Sequence, residues 1–479
     1  MSEHSLDTIF YPRSVAIVGA SDNPVSFGYD YIRRVIDYGY KGAIYPINPK
    51  RSELFGIKVY PEIGQIPGSI DYVIVGIPLP RVPDLLTECS KKGVKGVHLI
   101  ASGASETGHK EALELDQEIL KRARDYGIRL IGPNCLGIYC PEVGLSTGYD
   151  FPTESGSVSA LIQSGGNSTD LIRWGSLKGL RFSKVASFGN GLDLNEVDFL
   201  DYYAEDAKTK VILCYMEGIK DGKAFLRALR HAARKKPVII LKAGMSQAGL
   251  RAVVSHTGAL ASSAHVWEAV VRQAGAIGVS NIDEMIDLAL PFSLLPPIKG
   301  VNIGIEGGSG GKSAIAADEC ERMGFEIIPL PAELIEKIKS IDPANLEMVA
   351  NPVDPSGLVG SPLQYTVLLH MAKDPNFDFL MGIVAEDAPM SKEGHIDTIK
   401  RQLATLINVR KEGQKPLIVI LGDRSLGISE LSNWRWQLHA EVRTELIRAG
   451  VPIFHNVSQA ANAMKTFINY HCRNSEGGD

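Results

Sequence analysis

Short, continuous runs of apolar residues recur along the first third of the chain, each closed by glycine, proline, asparagine or serine. They lie at residues 14–20, 42–49, 71–78, 96–102 and 128–134. Stretches with helical spacing separate them, including residues 81–93 and 109–127. Strands that are buried on both faces have such runs, and their alternation with helices is typical of a parallel sheet. The pattern predicts a Rossmann-like domain over residues 1–148.

The same alternation continues through the rest of the chain in two further units. The strand-like runs of the second unit lie at residues 156–166, 182–189, 211–218 and 237–244, with a helical stretch at 222–236. Those of the third unit lie at residues 301–311, 377–387, 416–423 and 451–456. A seam rich in proline and glycine separates the two units at residues 295–300. The sequence therefore predicts an α/β protein with domains at 1–148, 149–297 and 298–479.

Composition and charge narrow the class of protein. The 479 residues carry a net charge of -5 without a basic tract, which argues against a nucleic-acid partner. No apolar run reaches the roughly 18–20 residues that span a bilayer, and the first residues lack the pattern of a signal peptide. The six cysteines are scattered without a CxxC pair, so we expect neither a disulfide framework nor a metal site. We expect a cytoplasmic protein without membrane contact.

The turn after the first predicted strand has the character of a phosphate-binding turn. Gly19 permits a tight turn, and the backbone amides that follow, from Ala20 and Ser21 towards the next helix, can hold a phosphate. A dinucleotide site would need G-x-G-x-x-G and an acidic residue at the end of strand two. Here the second glycine is missing, and strand two ends at Asn48 and Lys50. A lysine suits an additional phosphate, such as the 3′-phosphate of coenzyme A, although a turn that binds nothing is the open alternative.

His256 is the most informative residue of the second unit. It lies in a predicted loop of small, polar residues after a strand that ends at residues 242–244, which would leave it exposed and mobile. Imidazole is a competent nucleophile near neutral pH because its pKa is about 6.5. A phosphohistidine needs an anion to orient the ring, and Glu217, at the end of a strand, is the candidate. Taken alone, each of the two has the alternative of being an ordinary surface residue.

A phosphoryl group on histidine also needs positive potential, which helix N-termini supply. Two glycine-rich turns lie between a predicted strand and a predicted helix. They are Ser164, Gly165 and Gly166 in the second unit and Gly310 and Gly311 in the third. The third-unit turn is not a Walker A motif, since Glu306 takes the place of its first glycine. Packing between sheet and helix is the alternative for this turn.

Together these residues resemble the NDP-forming acyl-CoA synthetases, the superfamily of succinyl-CoA synthetase and the archaeal ADP-forming acetyl-CoA synthetases. The similar segments are YPRSVAIVGAS (11–21), IGPNCLG (131–137), IQSGG (162–166), YMEGIKDGKAF (215–225) and SHTGALA (255–261), in family order. The resemblance implies a Rossmann-like CoA-binding domain followed by two flavodoxin-like (succinyl-CoA-synthetase-like) α/β domains. It also implies that coenzyme A is bound by Gly19, Ala20, Ser21, Asn48, Lys50, Pro78 and Asn134.

The resemblance further implies a mechanism. Acyl-CoA and phosphate would give acyl phosphate and free CoA, and the acyl phosphate would phosphorylate His256, with Glu217 orienting the ring. The phosphate-binding residues would be Ser164, Gly165, Gly166, Gly310 and Gly311. ATP or ADP, with Mg²⁺, would bind to an ATP-grasp module. No such module is found in this sequence, so we expect a separate ATP-grasp β subunit in an αβ or α₂β₂ assembly, acting on a small carboxylic acid.

Two further hypotheses stay open at this point. A non-catalytic CoA-binding or regulatory protein would keep the fold without the chemistry, although the presence of His256 and Glu217 argues against it. An NAD-dependent dehydrogenase would need the dinucleotide turn that is missing after Gly19. The motifs do not determine the acyl group, for which acetate, branched, aryl and dicarboxylic acids are all candidates.

Overall fold

Three sheets built mainly of parallel strands, together with one short hairpin, organise the described chain. The computed structural model describes residues 6–257, 264–308, 310–341, 350–353, 362–386, 391–422 and 432–476. The chain divides into two units, residues 1–285 and 286–479. The first unit holds two of the large sheets and the second unit holds one. The alternation of strands and helices confirms the predicted α/β fold class.

The first sheet has five strands, and all of them are parallel. The strands of this region are β1 (Ser14–Val18), β2 (Ala43–Ile47), β5 (Tyr72–Val75), β6 (Gly96–Leu99) and β7 (Arg129–Ile131), with a hairpin of β3 (Glu53–Leu54) and β4 (Ile57–Lys58). The helices are α1 (Asp7–Phe10), α2 (Phe27–Asp37), α3 (Val82–Lys91) and α4 (Lys110–Asp125). The sheet order is β2-β1-β5-β6-β7. Because the order reverses at β1, its carboxyl end borders the crevice in which open α/β sheets bind ligands.

The second sheet has seven strands. They are β8 (Gly137–Cys140), β9 (Leu145–Ser146), β10 (Val158–Ile162), β11 (Phe182–Ser187), β12 (Val211–Met216), β13 (Val238–Lys242) and β14 (Ile277–Val279). The helices are α5 (Gly165–Leu177), α6 (Glu196–Glu205), α7 (Gly222–Lys235), α8 (Gln247–Thr257) and α9 (Ala264–Ala274). The order is β14-β13-β12-β10-β11-β8-β9, so β10 lies at a second reversal point with β11 and β12 on either side. The four short 3₁₀ helices of this unit are Ile63–Gln65, Leu79–Arg81, Ser105–Thr107 and Pro141–Val143.

Strands β8 and β9 were not expected from the apolar pattern. β8 pairs antiparallel with β11 and with β9, so the edge of this sheet is antiparallel. A single short 3₁₀ turn, Pro141–Val143, joins β8 to β9, and so short a connection allows only an antiparallel pair, because parallel strands need a crossover of a dozen or more residues. Residues 137–146 fall within the first predicted domain but hydrogen-bond to the second sheet. The domain limits themselves stay a prediction.

The segment before His256 differs from the sequence expectation. We predicted a loop after residue 244, whereas residues 247–257 form α8. Gln, Leu, Arg and Ala have adequate helix propensity, and Ser246 accepts a hydrogen bond from the backbone of Gly249 (3.1 Å) near the helix start. Residues 258–263, which contain the rest of the SHTGALA segment, lie outside the described residues.

The second unit contains one four-stranded parallel sheet. Its strands, in sheet order, are β15 (Ile303–Gly307), β16 (Phe379–Ile383), β17 (Leu417–Ile420) and β18 (Ile453–Phe454). The helices are α10 (Ile282–Leu294), which begins just before this unit, α11 (Gly310–Arg322), α12 (Ala332–Ile341), α13 (Pro362–Met371), α14 (Lys392–Glu412), α15 (Trp434–Arg448) and α16 (Val457–Glu476). No helix of the described chain is both long and apolar enough to traverse a bilayer.

A buried ion pair helps to hold the second sheet to its helices. Lys184 on β11 is fully buried, and its Nζ lies 2.5 Å from Oδ2 of Asp206, which follows α6. The same Nζ lies over the rings of Tyr11 and Tyr202, at 5.2 and 5.7 Å from their centroids. Burial alone would raise the pKa of Asp206, but hydrogen bonds from Lys184 and Thr209 lower the pKa below its ordinary value.

Replacing Lys184 with Met is expected to lower the free energy of unfolding by about 3 kcal/mol, because Asp206 is left without its cation. A carboxylate with a depressed pKa stabilises the fold at neutral pH and loses that contribution as the pH falls through its folded-state pKa. Wild type should therefore lose more stability than Lys184→Met between pH 5 and pH 3, as measured by urea unfolding. Lys208→Met, which breaks an exposed pair with Glu142, should cost less than about 1 kcal/mol. Equal acid sensitivity of wild type and Lys184→Met would contradict this account.

Candidate functional site

The turn after β1 is built by two glycines in close contact. Gly19 has a positive φ of 85°, and its N–H donates to the carbonyl of Ile47 on β2 (3.0 Å). A β-carbon on Gly28 would lie 1.8 Å from the carbonyl oxygen of Gly19, so the start of α2 packs directly on the turn. Only glycine fits this approach. Helix α2 therefore begins against the carboxyl end of β1, a position at which the N-terminus of a helix can bind an anion.

The other predicted residues of the first sheet gather around this turn. Asn48, after β2, donates from Nδ2 to the carbonyl of Ala20 (2.8 Å), and its Oδ1 accepts from the backbone of Lys50 (2.8 Å). Ser21 Oγ accepts from the backbone of Asn23 (3.0 Å), which shapes the turn. Pro78 is exposed beyond the end of β5 and precedes a 3₁₀ helix. The exposed Lys50 thus lies at the same sheet edge as the turn, as a contact to an additional phosphate would require.

A cleft of about 410 Å³ in the first unit brings the remaining predicted residues together. Asn134, Ser164, Gly165, Gly166 and Glu217 all line it. Gly19, Ala20, Ser21, Asn48, Lys50 and Pro78 are not among the described residues of its lining. The cleft therefore joins a residue that follows β7 of the first sheet to residues at the carboxyl ends of β10 and β12 in the second.

The start of α5 gives this cleft a positive wall. Ser164 is the N-cap, and its Oγ accepts from the backbone of Asn167 (3.3 Å). Gly165 and Gly166 form the first turn of the helix, are not fully buried and line the cleft. Their backbone N–H groups belong to the first turn of a helix, which has no intrahelical acceptors for them. A phosphate is the kind of anion that such a helix start binds.

Glu217 places a buried carboxyl group at the same edge of the sheet. It directly follows β12 and has only 7% of its surface exposed. Tyr215, on β12, donates from its hydroxyl to Glu217 Oε1 (3.2 Å). Burial, and then the neighbouring Glu217, raise the pKa of Tyr215 well above its ordinary value, so this hydroxyl keeps its proton. Glu217 is thus held in the cleft as an acceptor for a donor group.

Two side chains hold the backbone of Glu217 from opposite sides. Gln163, after β10, accepts at Oε1 from the backbone N–H groups of Glu217 and Gly218, the latter at 3.0 Å, and donates from Nε2 to the carbonyl of Gly218 (3.2 Å). Lys242, at the end of β13, donates to the carbonyls of Glu217 (2.8 Å) and Ala243 (2.6 Å). Burial lowers the pKa of Lys242, while Glu217 acts in the opposite direction.

His256 falls within the bounds of α8, but its side chain lies outside the described residues. Helix α8 begins shortly after β13. In the sheet, β13 is the neighbour of β12, the strand after which Glu217 lies. The contact between His256 and Glu217 therefore stays a prediction.

The third predicted phosphate site belongs to the second unit. Gly310 and Gly311 form the first turn of α11, as expected for a helix start after a strand. Gly307 at the end of β15 has φ 111°, and a β-carbon there would lie 2.0 Å from the carbonyl oxygen of Ile383. Glu306 is completely buried beneath this turn, where burial raises its pKa to about 7 and a hydrogen bond from Gln364 opposes that rise. The turn has the geometry of a helix start, and its phosphate role stays a prediction.

Comparison with known proteins decides the family. A model described as a CoA binding domain matches residues 13–141, and one described as a succinyl-CoA ligase like flavodoxin domain matches residues 155–292. The alpha subunit of acetate–CoA ligase (ADP-forming) II from Pyrococcus furiosus is 36% identical, covering 84% of this chain and 88% of that subunit. This chain belongs to the family of ADP-forming acetyl-CoA synthetases. The match to the CoA-binding model confirms the prediction of coenzyme A for the first domain.

Relatives in this family differ in length. Acetate–CoA ligase (ADP-forming) I from Archaeoglobus fulgidus is 37% identical over 80% of this chain, but the chain spans only 56% of that protein. Among solved structures, the dinucleotide forming acetyl-coenzyme A synthetase 1 of Ca. Korarchaeum cryptofilum, in complex with phosphate and ADP, has a TM-score of 0.81 at 28% identity. That similarity covers 98% of this chain and 97% of the other. The chain thus covers most of a separate alpha subunit in some family members and about half of a longer protein in others.

Several residues of the cleft were absent from the predicted site. They are Phe27, Tyr31, Arg34, Ile100, Ser102, Cys135, Leu136, Gln163, Gly189 and Asn190. Most of them have no sequence pattern that marks them as site residues, because the packing of two sheets brings them together. Gln163 is the exception, since a polar residue that closes a buried strand before a glycine helix start is recognisable in the sequence. Burial raises the pKa of Cys135, so its thiol stays protonated despite its place in the lining.

Replacing Gln163 with Met is expected to lower the free energy of unfolding by about 2 kcal/mol, because two buried backbone N–H groups lose their acceptor. Gln273→Met makes the same chemical change at an exposed position of this unit and should stay within about 0.5 kcal/mol of wild type. Urea unfolding measures both. An unchanged stability of Gln163→Met would mean that the amide does not hold the Glu217 backbone.

Proposed function

We propose that this chain is the CoA-binding, phosphohistidine-carrying subunit of an ADP-forming acyl-CoA synthetase. The overall reaction is acid, CoA and ATP to acyl-CoA, ADP and phosphate, and it is reversible. One observation carries the proposal: a single cleft combines Asn134 of the CoA-binding domain, the helix start at Gly165 and Gly166, and the buried carboxyl group of Glu217. The proposed reaction needs a CoA thioester, a phosphate and a histidine close together, and these three groups would bind or orient them.

In the proposed first step, phosphate held at the start of α5 attacks the carbonyl carbon of acyl-CoA. A C–O bond forms, the C–S bond breaks, and the CoA sulfur leaves as a thiolate that takes up a proton. The helix start favours the phosphate dianion without any mobile side chain. The product is an acyl phosphate in the same cleft.

In the second step, a ring nitrogen of His256 attacks the phosphorus atom of the acyl phosphate. The P–O bond to the acyl group breaks, and the free carboxylic acid leaves as its anion. Glu217 accepts a hydrogen bond from the other, proton-bearing ring nitrogen, which stabilises the positive charge that develops on the imidazole. We also propose that Gly310 and Gly311, at the start of α11, bind phosphate.

The phosphoryl group then passes from His256 to ADP on a partner chain. Support for a partner comes from the relatives named alpha subunits, of which this chain covers 88% and 77%. We propose a separate ATP-grasp β subunit that binds ATP or ADP with Mg²⁺, in an αβ or α₂β₂ assembly. We place the reaction in the cytoplasm, consistent with six free thiols.

The acid substrate is proposed to be a small carboxylic acid. The named substrates of relatives range from acetate to 4-hydroxybutyrate in the Nitrosopumilus maritimus ligase, which is 34% identical, and trans-ferulate in a synthase that is 31% identical. The family therefore offers acyl pockets of very different size.

Mg-ATP should phosphorylate His256 when the chain is purified together with the ATP-grasp protein of its host, because the last step is reversible. Intact-mass measurement should show an acid-labile gain of one phosphoryl group that is absent in His256→Ala. His231→Ala removes an exposed histidine of the same unit, which pairs with Glu205, and should leave the modification unchanged. An unmodified His256 in the presence of the partner would count against the enzyme and favour a CoA-binding regulator.

Glu217→Gln should slow phosphorylation of His256 by about 100-fold, because an amide cannot stabilise the developing imidazolium. Rapid-quench measurement of the phosphorylation rate tests this with the same complex. A rate equal to that of wild type would remove Glu217 from the proposed mechanism.

Lys50→Ala should weaken the binding of CoA by about tenfold and leave the binding of dephospho-CoA unchanged, because only CoA carries the 3′-phosphate. Isothermal titration calorimetry on the full chain compares the two ligands. Lys95, also exposed, lies directly before β6 at the opposite edge of the same sheet, so Lys95→Ala is the matched control. Equal weakening for both ligands would place Lys50 away from the 3′-phosphate.

A further inference from the structure

One face of α2 forms a wall of the cleft. Phe27, Tyr31 and Arg34 all line it, and their spacing of four and three residues places them on the same side of the helix. Tyr31 donates from its hydroxyl to the carbonyl of Leu136 (3.4 Å), which also lines the cleft. Ile100 adds a further apolar side chain. The cleft thus has an apolar part, made of ring and aliphatic groups, in addition to the phosphate-binding start of α5.

The positively charged residue on this face of α2, Arg34, already has interaction partners. Arg34 is the one lysine or arginine among the described residues of the lining. Its Nη1 donates to the carbonyl of Thr147 (2.7 Å), and its Nη2 lies 3.5 Å from Oδ2 of Asp30. Its guanidinium carbon lies over the rings of Tyr31 and Tyr149, at 4.9 and 4.5 Å from their centroids. A second carboxylate in the cleft would therefore find no unengaged cation among the described residues and would lose its hydration.

The apolar part includes an exposed aromatic ring. Phe27, the first residue of α2, leaves 65% of its surface accessible, whereas Tyr31 one turn later is 3% exposed. Covering an exposed aromatic ring with an apolar group is favourable, because both surfaces leave water. An acetyl group is too small to reach far along such a wall. A planar or branched hydrocarbon tail offers the matching surface.

We infer that this subunit prefers monocarboxylic acids with an apolar tail of about ring size over acetate and over dicarboxylic acids, with the tail lying against Phe27 and Tyr31. The inference rests on the proposed function, since it places the acyl group in the cleft beside Gly165, Gly166 and Glu217. It narrows the acids proposed above to one chemical class.

The test is the affinity of the purified full chain for CoA, acetyl-CoA, benzoyl-CoA and succinyl-CoA, measured by isothermal titration calorimetry. Benzoyl-CoA should bind at least fivefold more tightly than acetyl-CoA, and succinyl-CoA no more tightly than acetyl-CoA. The partner is not needed, because only binding is measured.

Phe27→Ala should weaken the binding of benzoyl-CoA by about tenfold, the scale set by burying an aromatic side chain. Its affinities for CoA and acetyl-CoA should stay within about twofold of wild type. Since Phe27 is exposed, this variant should fold normally. Val25→Ala removes an even more exposed apolar side chain, 92% accessible, two residues earlier and outside the described lining, and should bind all four ligands like wild type. Tyr31→Phe keeps the ring and should keep the preference for benzoyl-CoA.

Equal affinities for acetyl-CoA and benzoyl-CoA, or tighter binding of succinyl-CoA, would overturn the inference while leaving the proposed function intact. Equal loss for every ligand in Phe27→Ala would do the same, because it would place the ring against CoA itself. Failure of the wild-type chain to bind CoA at all would overturn both.

Discussion

The side-chain amide of Gln163 ties together the carboxyl ends of two neighbouring parallel strands, and the site depends on this link. It accepts from the backbone of Glu217 and Gly218 and donates back to Gly218, while the next residue, Ser164, caps α5. The helix start that would hold phosphate and the carboxyl group that would orient a histidine are therefore parts of one rigid element. Neither can shift without breaking buried hydrogen bonds, which are costly to leave unmade.

This rigidity solves an electrostatic problem. A phosphate and a carboxylate repel each other. A site that is proposed to hold both must therefore stabilise each of them with a different group. The N-terminus of α5 supplies fixed positive potential for the phosphate, and Lys242 reaches the backbone carbonyls of Glu217 and Ala243. Holding the main chain in this way orders Glu217 while its carboxyl group lines the cleft. Preorganised groups of this kind need no rearrangement during the reaction.

The cleft is shared between two sheets of the first unit, and this division suits a reaction with several substrates. The turn at Gly19, with Asn48 and Lys50, lies at the reversal point of the first sheet, where a nucleotide would be recognised. Asn134 and the α2 face extend from that domain into the cleft, and β10 and β12 of the second sheet complete it. In the proposed mechanism, Asn48 and Lys50 would recognise the CoA nucleotide, and the chemistry at its thiol would take place in the cleft.

The sequence by itself determined the α/β class, most strands, the glycine turns and the family, because these depend on local patterns. Buried parallel strands require continuous apolar runs, and helix starts that bind anions require glycine near the strand end. Only the tertiary structure decided that Asn134 shares a cleft with Gly165, Gly166 and Glu217 while Lys50 does not line it. The antiparallel β8 and β9, the helix at 247–257, the Gln163 and Lys242 contacts and the α2 wall were equally hidden. The strand pairing, the two side-chain contacts and the α2 wall arise from packing between residues distant in sequence, and such packing leaves no periodic signal in the chain.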